Sequence, residues 1–139
     1  MKILNGYPPI YDKADAVFKL RGNENRFQPV FAYGDIIYNP HGNDLDKHII
    51  AHEKVHGRQQ EISFGPAWWW DQYLKSPGFR LSQEIPAYRA QYASFCADVK
   101  DREARHKYLH WIAKDLGSEM YGGIISIAEA KRQIKNESC

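Results

Sequence analysis

The chain has 139 residues, the size of a single domain with one modest hydrophobic core, so residues 1–139 are expected to form one domain. Hydrophobic residues make up 43% of the chain and aromatic residues 14%, which excludes a disordered protein. Lysine and arginine total 19 against 17 for aspartate and glutamate. This near balance predicts no binding surface for nucleic acid or for an anionic membrane.

The N-terminal segment and the cysteines bear on the cellular compartment. Residues 1–9 contain no apolar run of signal-peptide length, and no later stretch is long and apolar enough to span a membrane. Cys96 and Cys139 are the only cysteines, and the second lies on a polar tail, so we expect both to be reduced thiols. These features predict a cytoplasmic protein.

The first half of the chain predicts two helices with a strand between them. Apolar residues at helical spacing predict a helix over residues 9–20, with Pro9 suited to its first turn. The β-branched and aromatic run from Val30 to Tyr38 predicts a strand. Residues 42–44 offer caps to a helix over residues 45–62.

The second half predicts further helices. A short segment after Gly65-Pro66 carries three consecutive tryptophans, residues 68–70, which we expect to pack as core, with an exposed ring for a substrate or partner as the alternative. After Ser82 a long helix is predicted to reach Gly117, with a bend near residues 100–101. A capping-box pattern predicts a last helix over residues 126–134. Together, these predicted helices and the one predicted strand indicate a mostly helical α+β domain.

One motif in the predicted helix 45–62 carries chemistry, namely His52-Glu53-Lys54-Val55-His56. Residues four apart lie on one helix face, so both imidazoles can approach a single ion at about 2.0 to 2.1 Å. Glu53 lies beside such an ion, where a carboxylate can take a proton from bound water. The composition gives about 0.015 chance occurrences of this pattern, which favours a Zn²⁺ site over an exposed ion-pair face.

A catalytic zinc site needs a third protein ligand and leaves a fourth position to water. The residue six positions after His56 is Ile62, which disfavours the metzincin arrangement, and Glu61 points about 140° away from His56. A segment long enough for one helix, followed by a turn, separates the motif from Glu84. The helix that carries Glu84 can therefore pack antiparallel to the helix that carries His52 and His56. The other acidic and histidine alternatives are Asp71, Glu103, His106 and His110.

The segment HEKVHGRQQ at residues 52–60, followed by EIPAYRAQ at residues 84–91, resembles the two-helix core of gluzincin metallopeptidases, especially their minimal single-domain members. The match covers about residues 30–95. The resemblance implies a zincin-like core in which a small β-sheet or hairpin packs on the HExxH helix and a second helix carries the metal-binding Glu84. Pro86 departs from this pattern, because proline is best tolerated in a first helical turn, and it predicts that Glu84 lies at the start of its helix.

The resemblance also implies a bacterial or phage source and an edge strand, here around Gly34 and Asp35, that aligns an extended peptide above the metal. Three side chains near the predicted site could hydrogen-bond an oxyanion, but packing or support of the site is the favoured role of each, and the sequence assigns the oxyanion role to none of them: Tyr88, Arg89 and Tyr92.

These features favour a zinc-dependent metallopeptidase that acts on a peptide or protein substrate, with Zn²⁺ bound by His52, His56 and Glu84 and with Glu53 as general base. Two alternatives stay open: a non-catalytic zincin-like binding or assembly module, and a zinc amidohydrolase that acts on a non-protein substrate. Because 139 residues leave little material for a second wall of a peptide cleft, substrate selection is expected to involve a protein partner or self-association.

Overall fold

The structure, a computed structural model, describes residues 1–135. Over this part of the chain the elements are β1 Lys2–Leu4, α1 Tyr11–Phe18, β2 Phe31–Tyr33, β3 Ile36–Tyr38, α2 Lys47–Ile62, α3 Pro66–Lys75, α4 Pro77–Asp98, α5 Arg102–Leu116, a 3₁₀ turn Glu119–Tyr121 and α6 Ile127–Lys135. A small sheet therefore accompanies a mostly helical fold, which confirms the predicted α+β class.

The strand predicted over residues 30–38 is a hairpin. Strands β2 and β3 pair antiparallel around Gly34, whose φ of +62° is in the left-handed region that favours glycine. Strand β1 adds to β3 in parallel, so that the sheet order is β1-β3-β2. The sequence did not predict β1, because three exposed residues are too few to show a period.

Helix α2 begins two residues later than predicted, because Asp46 is its N-cap and accepts hydrogen bonds from the amides of His48 and Ile49, each at 2.9 Å. The buried side chain of Gln60 joins α2 to the hairpin. Its amide nitrogen donates to the carbonyl of Ala32 at 2.8 Å, and its oxygen accepts from the amide of Gly34 at 2.7 Å.

Helix α4 begins at Pro77, and the expectation that Glu84 lies at the start of its helix is therefore wrong. Ser76 caps the helix by accepting the amide of Phe79 at 3.1 Å, and Pro77 lies in the first turn, where a missing amide donor costs nothing. Glu84 consequently lies in the third turn, and Pro86 lies inside the helix.

The long helix predicted from residue 82 to 117 is two helices. The break falls at residues 99–101, where Asp101 caps α5 by accepting the amide of Ala104 at 2.8 Å. The predicted last helix is confirmed as α6, and Ser126 accepts the amide of Glu129 at 3.1 Å as the capping pattern requires.

The tryptophan run divides between core and surface. Trp69 and Trp70 are buried, which confirms the expected core role for these two, whereas Trp68 is 38% exposed. The indole of Trp70 donates to the carbonyl of Ala32 at 2.8 Å, so helix α3 packs beneath strand β2.

The expectation of reduced thiols is wrong for Cys96, which is disulfide-bonded. Cys139 lies outside the described residues. Disulfide pairing depends on which chain segments meet in the fold, and sequence position does not give this. The prediction of a cytoplasmic location thus loses the support of reduced cysteines. Over residues 1–135, none of the helices combines the length and the apolar character that crossing a bilayer requires.

Candidate metal centre

Helices α2 and α4 bring three potential ligand atoms together. His52 and His56 lie one turn apart on α2, and Glu84 faces them from α4. The Oε1 atom of Glu84 lies 2.9 Å from Nε2 of His52 and 3.1 Å from Nε2 of His56, and the two Nε2 atoms are 3.2 Å apart. His56 and Glu84 are buried, and His52 is nearly so.

The far nitrogen of each imidazole is held by a glutamine. Nδ1 of His56 lies 2.9 Å from Oε1 of Gln59, whose amide nitrogen donates to a backbone carbonyl of α4 at 2.9 Å. That carbonyl can only accept, so the amide oxygen of Gln59 must face the imidazole, and Nδ1 carries the hydrogen. Nδ1 of His52 faces Oε1 of Gln91 in the same way, at 2.8 Å, and the Gln91 amide contacts the Tyr108 hydroxyl at 2.8 Å.

With the hydrogen of each imidazole on Nδ1, both Nε2 atoms present a lone pair to the same carboxylate oxygen, and a proton or a cation is needed between them. Burial acts to lower the pKa of His56, but the charge and hydrogen bond of Glu84 outweigh it and raise this pKa to about 9. Burial acts to raise the pKa of Glu84, and the two histidines together hold it well below its usual value.

His52, Glu53 and His56 form a group that can hold a metal ion, since each offers a ligand atom and these atoms lie within 4.8 Å of one another. One carboxylate oxygen of Glu84 lies closer to the histidines, at 2.9 Å from Nε2 of His52 and 3.1 Å from Nε2 of His56. Between the two carboxylates, the shorter distances favour Glu84 as the third ligand.

Glu53 is buried, with 5% of its surface exposed, and it lines the cavity beside the histidines. Among residues 1–135 no group donates a hydrogen bond to its carboxylate. Burial raises the pKa of Glu53, the charges of His56 and His52 act against this, and the charge of Glu84 adds to it. A carboxylate with a raised pKa and no donor is suited to accept a proton.

Two tyrosines support the cluster. The hydroxyl of Tyr73 donates to Oε2 of Glu84 at 2.5 Å, and the ring of Tyr88 packs edge-on against His52 with centroids 4.6 Å apart. The Tyr88 hydroxyl donates to Asp115 at 2.5 Å. Sequence reasoning singled out Tyr88 but missed Tyr73, whose sequence neighbours give no sign that it faces Glu84.

A cavity of about 450 Å³ adjoins the cluster and is lined by His52, Glu53 and His56 of the motif and by Glu84. Its inner wall is largely aromatic. Its mouth is formed in part by the exposed residues Asn43, Asp44 and Trp111, the last with 65% of its surface exposed. The cluster is therefore reached from solvent through this cavity.

The structure does not bring the other predicted ligands to the cluster, since none of them lines this cavity. Four of them are exposed on the helix surfaces: Glu61, Glu103, His106 and His110. Asp71 pairs with Lys75 at 2.9 Å on α3.

Two candidates for oxyanion stabilisation also lie away from the cavity. Arg89 bonds the carbonyl of Gln133 on α6 at 2.5 Å, and Tyr92 is buried without lining the cavity. At the hairpin, Asp35 is almost fully exposed, and the carbonyl of Ala32 on the edge strand β2 is already bonded from α2 and α3. That carbonyl is not free to pair with a peptide.

Comparisons with protein-family models, with curated proteins and with solved structures find no match to this chain. Its function must therefore be argued from the geometry and chemistry of the site.

Proposed function

We propose that the protein is a zinc-dependent metallopeptidase in which His52, His56 and Glu84 bind the zinc ion and Glu53 is the general base. The observation that carries the proposal is the convergence of two imidazole nitrogens and one carboxylate oxygen at 2.9, 3.1 and 3.2 Å from one another, beside a cavity open to solvent.

The spacing of these three atoms suits zinc. A triangle with these sides has a circumscribed radius of about 1.8 Å, which is shorter than a zinc–ligand bond of about 2.0 to 2.1 Å. A single point about 1 Å above the plane of the three atoms therefore lies at bonding distance from all of them. Two histidines and one glutamate are also a ligand set of catalytic zinc sites, whereas calcium and magnesium prefer oxygen ligands.

The chain supplies the remaining parts of the reaction. Held by His52, His56 and Glu84, a zinc ion would lower the pKa of a water toward 7 and polarise a substrate carbonyl. Glu53 takes the proton of the attacking water and passes it to the leaving amine. The glutamines at Nδ1 of each histidine keep both Nε2 atoms directed at the ion.

The cavity favours this proposal over a non-catalytic module. A structural zinc site is closed by four protein ligands, whereas the cluster here adjoins about 450 Å³ of space lined by Glu53. The same volume lies within the range of small-molecule sites, roughly 300 to 1,000 Å³, and on this ground hydrolysis of a small amide is the second candidate.

The test compares Glu53→Gln and His56→Ala with Glu61→Gln, which changes an exposed glutamate of the same helix. Zinc content is measured by elemental analysis, and hydrolysis with a quenched fluorogenic peptide library and with a panel of small acyl amides. We expect one zinc per chain in wild type, Glu53→Gln and Glu61→Gln, loss of hydrolysis in Glu53→Gln, and loss of both zinc and hydrolysis in His56→Ala. Full activity of Glu53→Gln would refute the proposed role of Glu53, and cleavage of amides but not peptides would favour the second candidate.

A further inference from the structure

The two carboxylate oxygens of Glu84 have different partners. Oε1 faces the two histidines, whereas Oε2 accepts a hydrogen bond from the hydroxyl of Tyr73 at 2.5 Å. Both side chains are buried, with 3% of Glu84 and 4% of Tyr73 exposed, so water does not readily replace this bond. Tyr73 is therefore the group that holds the oxygen turned away from the histidines.

The buried pair of the tryptophan run fixes the position of Tyr73. The ring of Tyr73 stacks on Trp69 with centroids 5.0 Å apart and meets Trp70 edge-on at 4.9 Å. Each indole is itself anchored, Trp69 by a 2.8 Å bond to the Gln83 side chain and Trp70 by a 2.8 Å bond to the Ala32 carbonyl. The phenol cannot swing away from Glu84 without breaking this packing.

The position of the Tyr73 phenol affects whether Glu84 occupies one or two coordination positions of a bound zinc ion. A carboxylate can bind a metal through one oxygen or through both, and a second bound oxygen takes a position that a catalytic site must leave open. Without the phenol, Oε2 would be a buried charged oxygen with no donor, which is costly, and the nearest cation would be the metal.

We propose that Tyr73 is a positioning residue whose hydroxyl keeps Glu84 a one-oxygen ligand and so keeps one zinc position open to water and substrate. This inference rests on the proposed metal centre but not on the proposed peptidase activity. It also assigns a role to Trp69 and Trp70, which hold the phenol in place.

The test replaces Tyr73 by phenylalanine, which keeps the ring and removes only the hydroxyl, and loads the protein with Co²⁺. Tyr92→Phe is the matched control, because Tyr92 is also a buried tyrosine of the core and does not line the cavity. The visible d–d absorption of Co²⁺ is intense in four-coordinate sites and weaker in five-coordinate ones. Zinc affinity is measured by competition with a chromophoric chelator.

We expect an intense four-coordinate spectrum for wild type and for Tyr92→Phe. For Tyr73→Phe we expect a weaker, five-coordinate spectrum and a zinc affinity lower by about 10- to 100-fold. X-ray absorption of the wild-type zinc protein provides a readout that needs no variant, and a single carboxylate oxygen is expected among the ligands.

Two outcomes would overturn this inference alone: a two-oxygen carboxylate in the wild-type protein, or a Tyr73→Phe protein with wild-type spectrum and affinity. A wild-type protein that binds neither Co²⁺ nor Zn²⁺ at one ion per chain would overturn the proposed metal centre and this inference with it.

Discussion

Removal of zinc from the proposed centre is expected to lower the free energy of unfolding, because the three ligands converge only when α2 and α4 are packed together. Zinc that binds the folded chain alone stabilises it by about 2.7 kcal/mol at a free concentration 100-fold above the dissociation constant. A chain of 139 residues unfolds with an entropy of about 0.3 kcal/mol/K, so the melting temperature should fall by about 9 °C.

The assay is calorimetric or circular-dichroism melting at pH 7.5, with zinc buffered at 100-fold above the dissociation constant in one sample and EDTA in the other. His56→Ala should melt at the same temperature in both samples, since it lacks a ligand. Glu61→Gln, altered on the exposed face of the same helix, should keep the full difference. A wild-type melting temperature that is equal in zinc and in EDTA to within 1 °C would refute the reasoning.

Four further predictions follow from the site. Glu53→Gln should lower kcat by about 10²- to 10⁴-fold with zinc retained, and a wild-type kcat would contradict its role as base. Burial acts to lower the pKa of His56, but the charge and hydrogen bond of Glu84 outweigh burial and raise this pKa to about 9. Zinc must displace the proton of His56, so the zinc affinity measured by chelator competition should rise about tenfold per pH unit between pH 7 and 9. A zinc affinity that does not change with pH would contradict this reasoning. Gln91→Leu removes the acceptor for His52 and should weaken zinc binding about 10- to 100-fold, and unchanged affinity would show that the bond does not orient the ligand. Trp111→Ala, at the exposed cavity mouth, should change stability by no more than about 0.5 kcal/mol yet lower kcat/KM; an unchanged kcat/KM would remove Trp111 from the substrate path.

The parts of the site that could be predicted from the sequence are those governed by local geometry. The spacing of His52 and His56 places both imidazoles on one face of any helix, and the predicted helix through the motif is confirmed as α2. The approach of Glu84 could be proposed because a turn and a helix separate it from the motif. Its place within the helix was predicted wrongly, because Pro86 was expected to lie in the first turn of a helix that begins after Ser82, whereas the helix begins at Pro77 and contains Pro86 in its interior.

The remaining features depend on tertiary contacts that have no local signature. Tyr73 reaches Glu84 only because Trp69 and Trp70 pack α3 against the rest of the core. The hairpin within residues 30–38 depends on the left-handed conformation of one glycine, and the composition of the segment is equally suited to a single strand. The disulfide at Cys96 also has no local signature, because it depends on which segments the fold brings together.

The central claim is that one zinc ion is bound by His52, His56 and Glu84, and a crystal structure of the zinc-loaded protein with anomalous data at the zinc edge tests it most directly. We predict a single anomalous peak at about 2.0 to 2.1 Å from the two Nε2 atoms and about 2.0 to 2.2 Å from Oε1 of Glu84, with a water or substrate group in the fourth position. Absence of a peak at the cluster, or a peak bonded to Glu53 in place of Glu84, would contradict the claim.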